Sequence, residues 1–200
     1  MVGDACNMLA ALAGAARGAA SGFVYKLLLT ISPVLGSGVP LISLNMHQAM
    51  QTVLTLVPIK NYLTWACSEI AASKSDQLRA LLVSYFAIVL QFWGAAFLVK
   101  EVGLLVGVLA DLLVDRSPKV REEARLVFLQ LYISFHSNAL ALWAELPERV
   151  LKGLRVVLTS AGCAVPGDGE PEVRFALVIW AECSASRAPT RFLLQKVNKI

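Results

Sequence analysis

The residues equipped for acid–base or metal chemistry are few and poorly spaced for it. His47 and His136 each stand far from any Cys, Asp or Glu group at ligand spacing, and a lone histidine is more often a surface or core side chain than a ligand. Cys6, Cys67, Cys163 and Cys183 form no C-x-x-C pair. They read as four reduced, mostly buried thiols of an intracellular protein, because disulfide frameworks belong to short secreted chains. There is no G-x-S-x-G, no H-E-x-x-H and no phosphate-cradling glycine loop. The chain is therefore expected to be non-catalytic, with no cofactor and no metal.

What does recur is a pattern suited to helix capping and ion pairing. Three short stretches read Ser73-Lys-Ser-Asp-Gln-Leu-Arg79, Asp115-Arg-Ser-Pro-Lys-Val-Arg121 and Asp168-Gly-Glu-Pro-Glu-Val-Arg174. Each opens on a residue able to accept from free N–H groups at a helix start. Five positions later comes Leu or Val, and then Arg. The arginines are 42 and 53 residues apart, the longer interval containing the Gly/Pro loop around Pro166. A period in the forties with two helices per period is the signature of HEAT or armadillo-like arrays. In such an array Arg79, Arg121 and Arg174 can reach the acidic turns of neighbouring repeats, Asp115 and Asp168 among them, as a ladder between stacked units.

The elements that must hold these turns are helices throughout. In the second stretch Pro118 suits a first helical position, where its missing N–H costs nothing. Behind it Val120, Ala124, Val127, Phe128 and Leu131 form one apolar stripe. Lys119, Glu122, Glu123 and Arg125 occupy the other face, and the pairs Glu122–Arg125 and Lys119–Glu123 are expected to make a solvated, charge-paired surface. Further helices are predicted over Cys6–Ala20, Phe23–Ile31, Leu41–Val57, Tyr62–Ala72, Asp76–Trp93, Val99–Val114, Glu148–Thr159, Pro171–Cys183 and Pro189–Val197. A turn is expected at His136-Ser137-Asn138, with a helix from Ala139 that either stops at Pro147 or is interrupted there. No period-2 segment is present. The reading is all-α: one α-solenoid domain over 1–200 with about four or five HEAT-like helix pairs, its Ala/Gly-rich segment 1–22 peripheral.

Composition presses on the same architecture. The apolar share is 57%, the charged share 16% and the formal charge +4, with a mean hydropathy of +0.65. A charge of that size, without a Lys/Arg block, does not point to nucleic acid. The N-terminus carries Asp4 and no early Lys or Arg, so it makes a poor signal peptide. Only five charged residues precede residue 73, so the first third most needs cover from other protein. The rival class is an α-helical subunit of a membrane or organelle complex. Ala80–Val99 is uncharged and long enough to cross a bilayer, although Ser84, Gln91 and Gly94 lie inside it.

The stretch Leu78–Trp93 resembles a helix of the TOG-type domains of the CLASP microtubule-regulating family, which runs from an arginine to a tryptophan. The likeness continues through Arg121, Ala124-Arg125, Phe128, Phe135, Ala139, Leu142 and Leu146, with His136 where the family usually has proline. The resemblance implies a HEAT-type solenoid in which the turns inside each repeat form an edge that grips tubulin. Carried over, that edge includes Lys74 and Ser75, then Arg116 and Lys119, then Glu170 and Glu172. The segment from Ser32 to Gly38, at the place of the family's first turn, has neither an aromatic nor a basic residue. The implied role is a scaffold in a microtubule- or axoneme-associated assembly of the cytoplasm and cytoskeleton, with tubulin or a microtubule as protein partner.

Overall fold

Prolines and short polar residues set the helix boundaries. The computed structural model describes residues 40–167, together with Met8, Ala11, Gly22, Tyr25 and Lys26. The helices expected over 6–20, 23–31, 171–183 and 189–197 lie outside the described residues, apart from single positions. Helix α1 spans Pro40–Leu56, beginning on a proline and stopping short of Pro58. Helix α2, Tyr62–Ala72, starts behind Asn61, whose φ of 62° places it in the left-handed region that asparagine tolerates. Helix α3, Asp76–Phe92, starts on Ser75, whose hydroxyl accepts from Leu78 N at 3.3 Å.

The apolar stretch 80–99 is not one helix. Trp93 and Gly94 are both extended, with ψ of 134° and 146°, and the chain then makes the short helix α4, Ala95–Leu98, before α5, Val102–Leu113. A bond reaches from the break to a residue outside the stretch. Pro58 has no N–H for the carbonyl of Leu54, four residues earlier, and Trp93 Nε1 supplies the missing donor at 2.7 Å. No described helix is long and apolar enough to cross a membrane. The single helix expected over 99–114 begins only at Val102.

Helix α6, Pro118–Ser134, has Pro118 in its first turn. The turn expected at 136–138 is instead the start of α7, His136–Glu145. Phe135 alone makes the break, with φ −137° and ψ 62°, while its carbonyl still accepts from Ala139 N at 3.1 Å. His136 packs edge-on against Tyr132 with ring centroids 4.5 Å apart. Leu146 and Pro147 are extended, so α7 is separate from α8, Glu148–Ser160. Gly162, at φ 71°, closes α8 with Cys163 N donating to Leu158 O at 2.8 Å, a glycine C-terminus of the usual left-handed kind.

All described secondary structure is helical. The helices form two layers: α1, α3, α6 and α8 lie side by side in one, and α2, α5 and α7 in the other. Successive members α2/α3 and α5/α6 are helix pairs, and α1 lies beside α3 in the layer of the second helices. That is the arrangement of a HEAT- or TOG-like α-solenoid. The core runs along the interface, with Tyr62, Tyr85, Phe86 and Phe128 fully buried between Leu54, Leu82, Leu109 and Leu131. Each such side chain contributes roughly 1.5–3 kcal/mol of burial. No helix pair encloses this core alone, so each depends on its neighbours.

Candidate partner-binding edge

The turns before α3 and α6 are built alike. Ser73 Oγ accepts from Ser75 N at 3.2 Å, and Asp115 Oδ1 accepts from Ser117 N at 2.8 Å. One turn on, Arg79 N donates to Ser75 O at 3.0 Å and Arg121 N to Ser117 O at 3.1 Å. A side-chain acceptor two residues before the helix start thus fixes each corner.

The two corners touch. Arg116 Nη2 lies 3.5 Å from the carbonyl oxygen of Lys74, its counterpart 42 residues earlier. It also lies 3.6 Å from Asp76 Oδ1, with 71% of the Arg116 side chain exposed. Lys74, Ser75 and Lys119 are exposed as well. Three cations, Lys74, Arg116 and Lys119, therefore share one edge with Asp76 between them. The Ser75 hydroxyl is occupied by its helix start.

Beneath the edge, Arg79 Nη2 binds Asp115 Oδ1 at 3.0 Å and Asp76 Oδ1 at 2.8 Å. Arg79 thus spans from one repeat to the next. Arg121 does something else: its Nη1 donates to Asp115 O at 2.6 Å and Arg116 O at 3.0 Å. The carbonyls of its own corner face back over the first turn of α6, and the guanidinium closes onto them. Asp168, Glu170, Glu172 and Arg174 lie outside the described residues, as does the segment 32–38.

A groove of about 450 Å³ crosses α1, α3 and α6 beside this edge, with Lys119 on its rim. The expected pairs Glu122–Arg125 and Lys119–Glu123 are not formed among the described residues. The Arg125 guanidinium lies instead against Gly153 of α8, so close that a Cβ there would meet its Nε at 3.0 Å. Glu123 is half-buried and its carboxyl is pushed up to about 6, by loss of water first and by the charge of Glu122 second. On the opposite wall His47 Nδ1 is 3.0 Å from Tyr85 Oη, the rings stacked 5.5 Å apart. Burial holds the His47 imidazole below its ordinary range and the Tyr85 phenol above its own. A histidine engaged this way lacks the carboxylate that would orient a general base. Among the described residues no three His, Cys, Asp or Glu side chains converge as metal ligands.

The family described as CLASP N terminal matches residues 1–155. The chain belongs to the CLASP N-terminal family. A search of curated proteins returned no match. Membership brings a coarse role with it, that of a microtubule-associated module, and association with the cytoskeleton. Within this CLASP N-terminal domain the residues that sequence reasoning placed on the edge are brought together for two of its turns. The groove and the His47–Tyr85 pair went unseen. His47 and Tyr85 sit 38 residues apart on separate apolar helices, and nothing in the local pattern of either helix announces the other.

Proposed function

We propose that this chain is a non-catalytic, TOG-like interaction module, folded as one unit over 1–200, whose row of intra-repeat turns contacts tubulin. The observation that carries this reading is the stacking of two like corners, which gathers Lys74, Arg116 and Lys119 on one exposed edge. A cluster of basic side chains held on rigid corners suits an acidic protein surface, and attraction of that kind raises association rates more than it deepens affinity. Arg79 supports the edge from below by fixing the spacing of the two corners. The setting is a microtubule- or axoneme-associated assembly in which the module acts as a scaffold. Co-sedimentation of the full chain with microtubules at rising salt tests the reading. Binding should fall steeply between low and physiological ionic strength, as screening of exposed charges requires; salt-independent binding, or none, would count against it.

A further inference from the structure

We propose that the groove across α1, α3 and α6 docks a partner segment presenting an arginine or lysine flanked by aliphatic side chains. One wall carries Glu122 and Glu123 from successive positions of α6, and the other carries Leu44 and His47 from α1. Leu81 and Ser84 of α3 lie between them. Two carboxylates therefore share a groove with the aliphatic side chains Leu44 and Leu81. Neither Glu122 nor Glu123 has an ion-pair or hydrogen-bond partner among the described residues: Arg125 is taken up against Gly153, and Lys119, on the rim of the same groove, pairs with neither. The charge of Glu122 raises the cost of ionising Glu123, and an entering cation relieves that cost while it gains two acceptors. Leu44 is 52% exposed and offers apolar contact to the residue beside the cation. This occupant is opposite in charge to the one proposed for the edge, so the two surfaces read different partners.

The probe is a fluorescein-labelled peptide with one central arginine between leucines in a glycine–serine background, titrated into the full chain and followed by anisotropy. Saturable binding is expected. It should weaken about tenfold or more in the Glu122→Gln, Glu123→Gln double variant, the loss anticipated for charge-assisted contacts, and also in Leu44→Ser. These exchanges sit on exposed or half-buried positions, and circular dichroism confirms that the variants fold. Lys74→Glu on the neighbouring edge should leave peptide affinity unchanged. Absence of saturable binding, equal binding of the peptide with glutamate in place of arginine, or indifference to the double exchange would each overturn the proposal.

Discussion

Arg79 Nη2 and Asp115 Oδ1 stand 3.0 Å apart across the boundary between two helix pairs, with only 12% and 14% of their side chains exposed. The same carboxylate oxygen receives the N–H of Ser117 at 2.8 Å. One atom therefore holds both the shape of a corner and its distance from the corner before it. Asp115→Ala should cost about 3 kcal/mol in urea denaturation of the full chain, because it leaves a largely buried guanidinium short of a partner. Arg79→Met should cost less, since Arg79 Nε is already buried without an acceptor and its removal relieves that penalty. The double variant should cost clearly less than the two single losses added together.

Trp93 and Leu54 make the second long-range tie. The carbonyl of Leu54 is denied its helical donor by Pro58, and the indole N–H takes that place at 2.7 Å. Trp93→Phe keeps a ring against Tyr62 and Phe97 but strands the carbonyl. A loss of about 1–3 kcal/mol is expected, measured by thermal or chemical unfolding. A change within about 0.5 kcal/mol, the range of an ordinary surface substitution, would show that the carbonyl finds another donor.

Glu123 gives a pH signature. Its carboxyl is raised from 4.5 to about 6 in the folded chain, so the folded state holds the proton more tightly than the unfolded one. The resulting stability is fully present below about 4.5 and is lost as pH rises through about 6. Glu123→Gln should therefore raise the melting temperature at pH 7.5 and give little or no gain at pH 4.5. The groups facing it are Glu122 and Lys119 on α6 and His47 on α1, while α3 presents only the uncharged Gln77 and Ser84. His47 moves the other way: its lowered imidazole makes the folded state less stable as pH falls below 6.5. The comparison of variant with parent at each pH isolates Glu123 from it.

Thiol reactivity should divide by burial. Cys67 is buried and its thiol is pushed up to about 11, through loss of water and then the charge of Glu101. Cys163 is also buried and raised. Since the thiolate is the reactive form, both should resist iodoacetamide at pH 8 in the native chain and alkylate fully in denaturant, as read by mass mapping of the two peptides. Rapid native labelling of Cys67 would indicate opening of the α2–α5 packing.

Much of the fold could be read from residues that act locally. Pro58, Ser75 and Pro118 end or begin helices by chemistry confined to a few positions, and those boundaries fall where the sequence places them. The corners were legible for the same reason: a Ser or Asp two residues before the helix start does its capping within one turn. What escaped depends on partners far along the chain. The end of α3 near Trp93 was legible, but the bond from its indole to a carbonyl 39 residues earlier was not. The break at Phe135 needs one residue rather than the polar triplet that follows it. The bonds of Arg121 to the carbonyls of its own corner also escaped, since nothing in the repeat pattern announces them. The Arg125 guanidinium lies against Gly153 on α8 rather than pairing with its helical neighbour Glu122. Spacing along one helix shows which side chains share a face; it says nothing of a better partner on the next helix.

The central claim is that the stacked corners form the contact with tubulin, and charge reversal on that edge tests it most directly. The parent chain and a Lys74→Glu, Lys119→Glu double variant should be co-sedimented with microtubules at fixed low salt. Arg116 is left intact because it also pairs with Asp76. The predicted result is a loss of about tenfold or more in apparent affinity, roughly 1.4 kcal/mol, with unchanged melting temperature. Equal co-sedimentation of the two proteins would contradict the account and move the contact away from this edge.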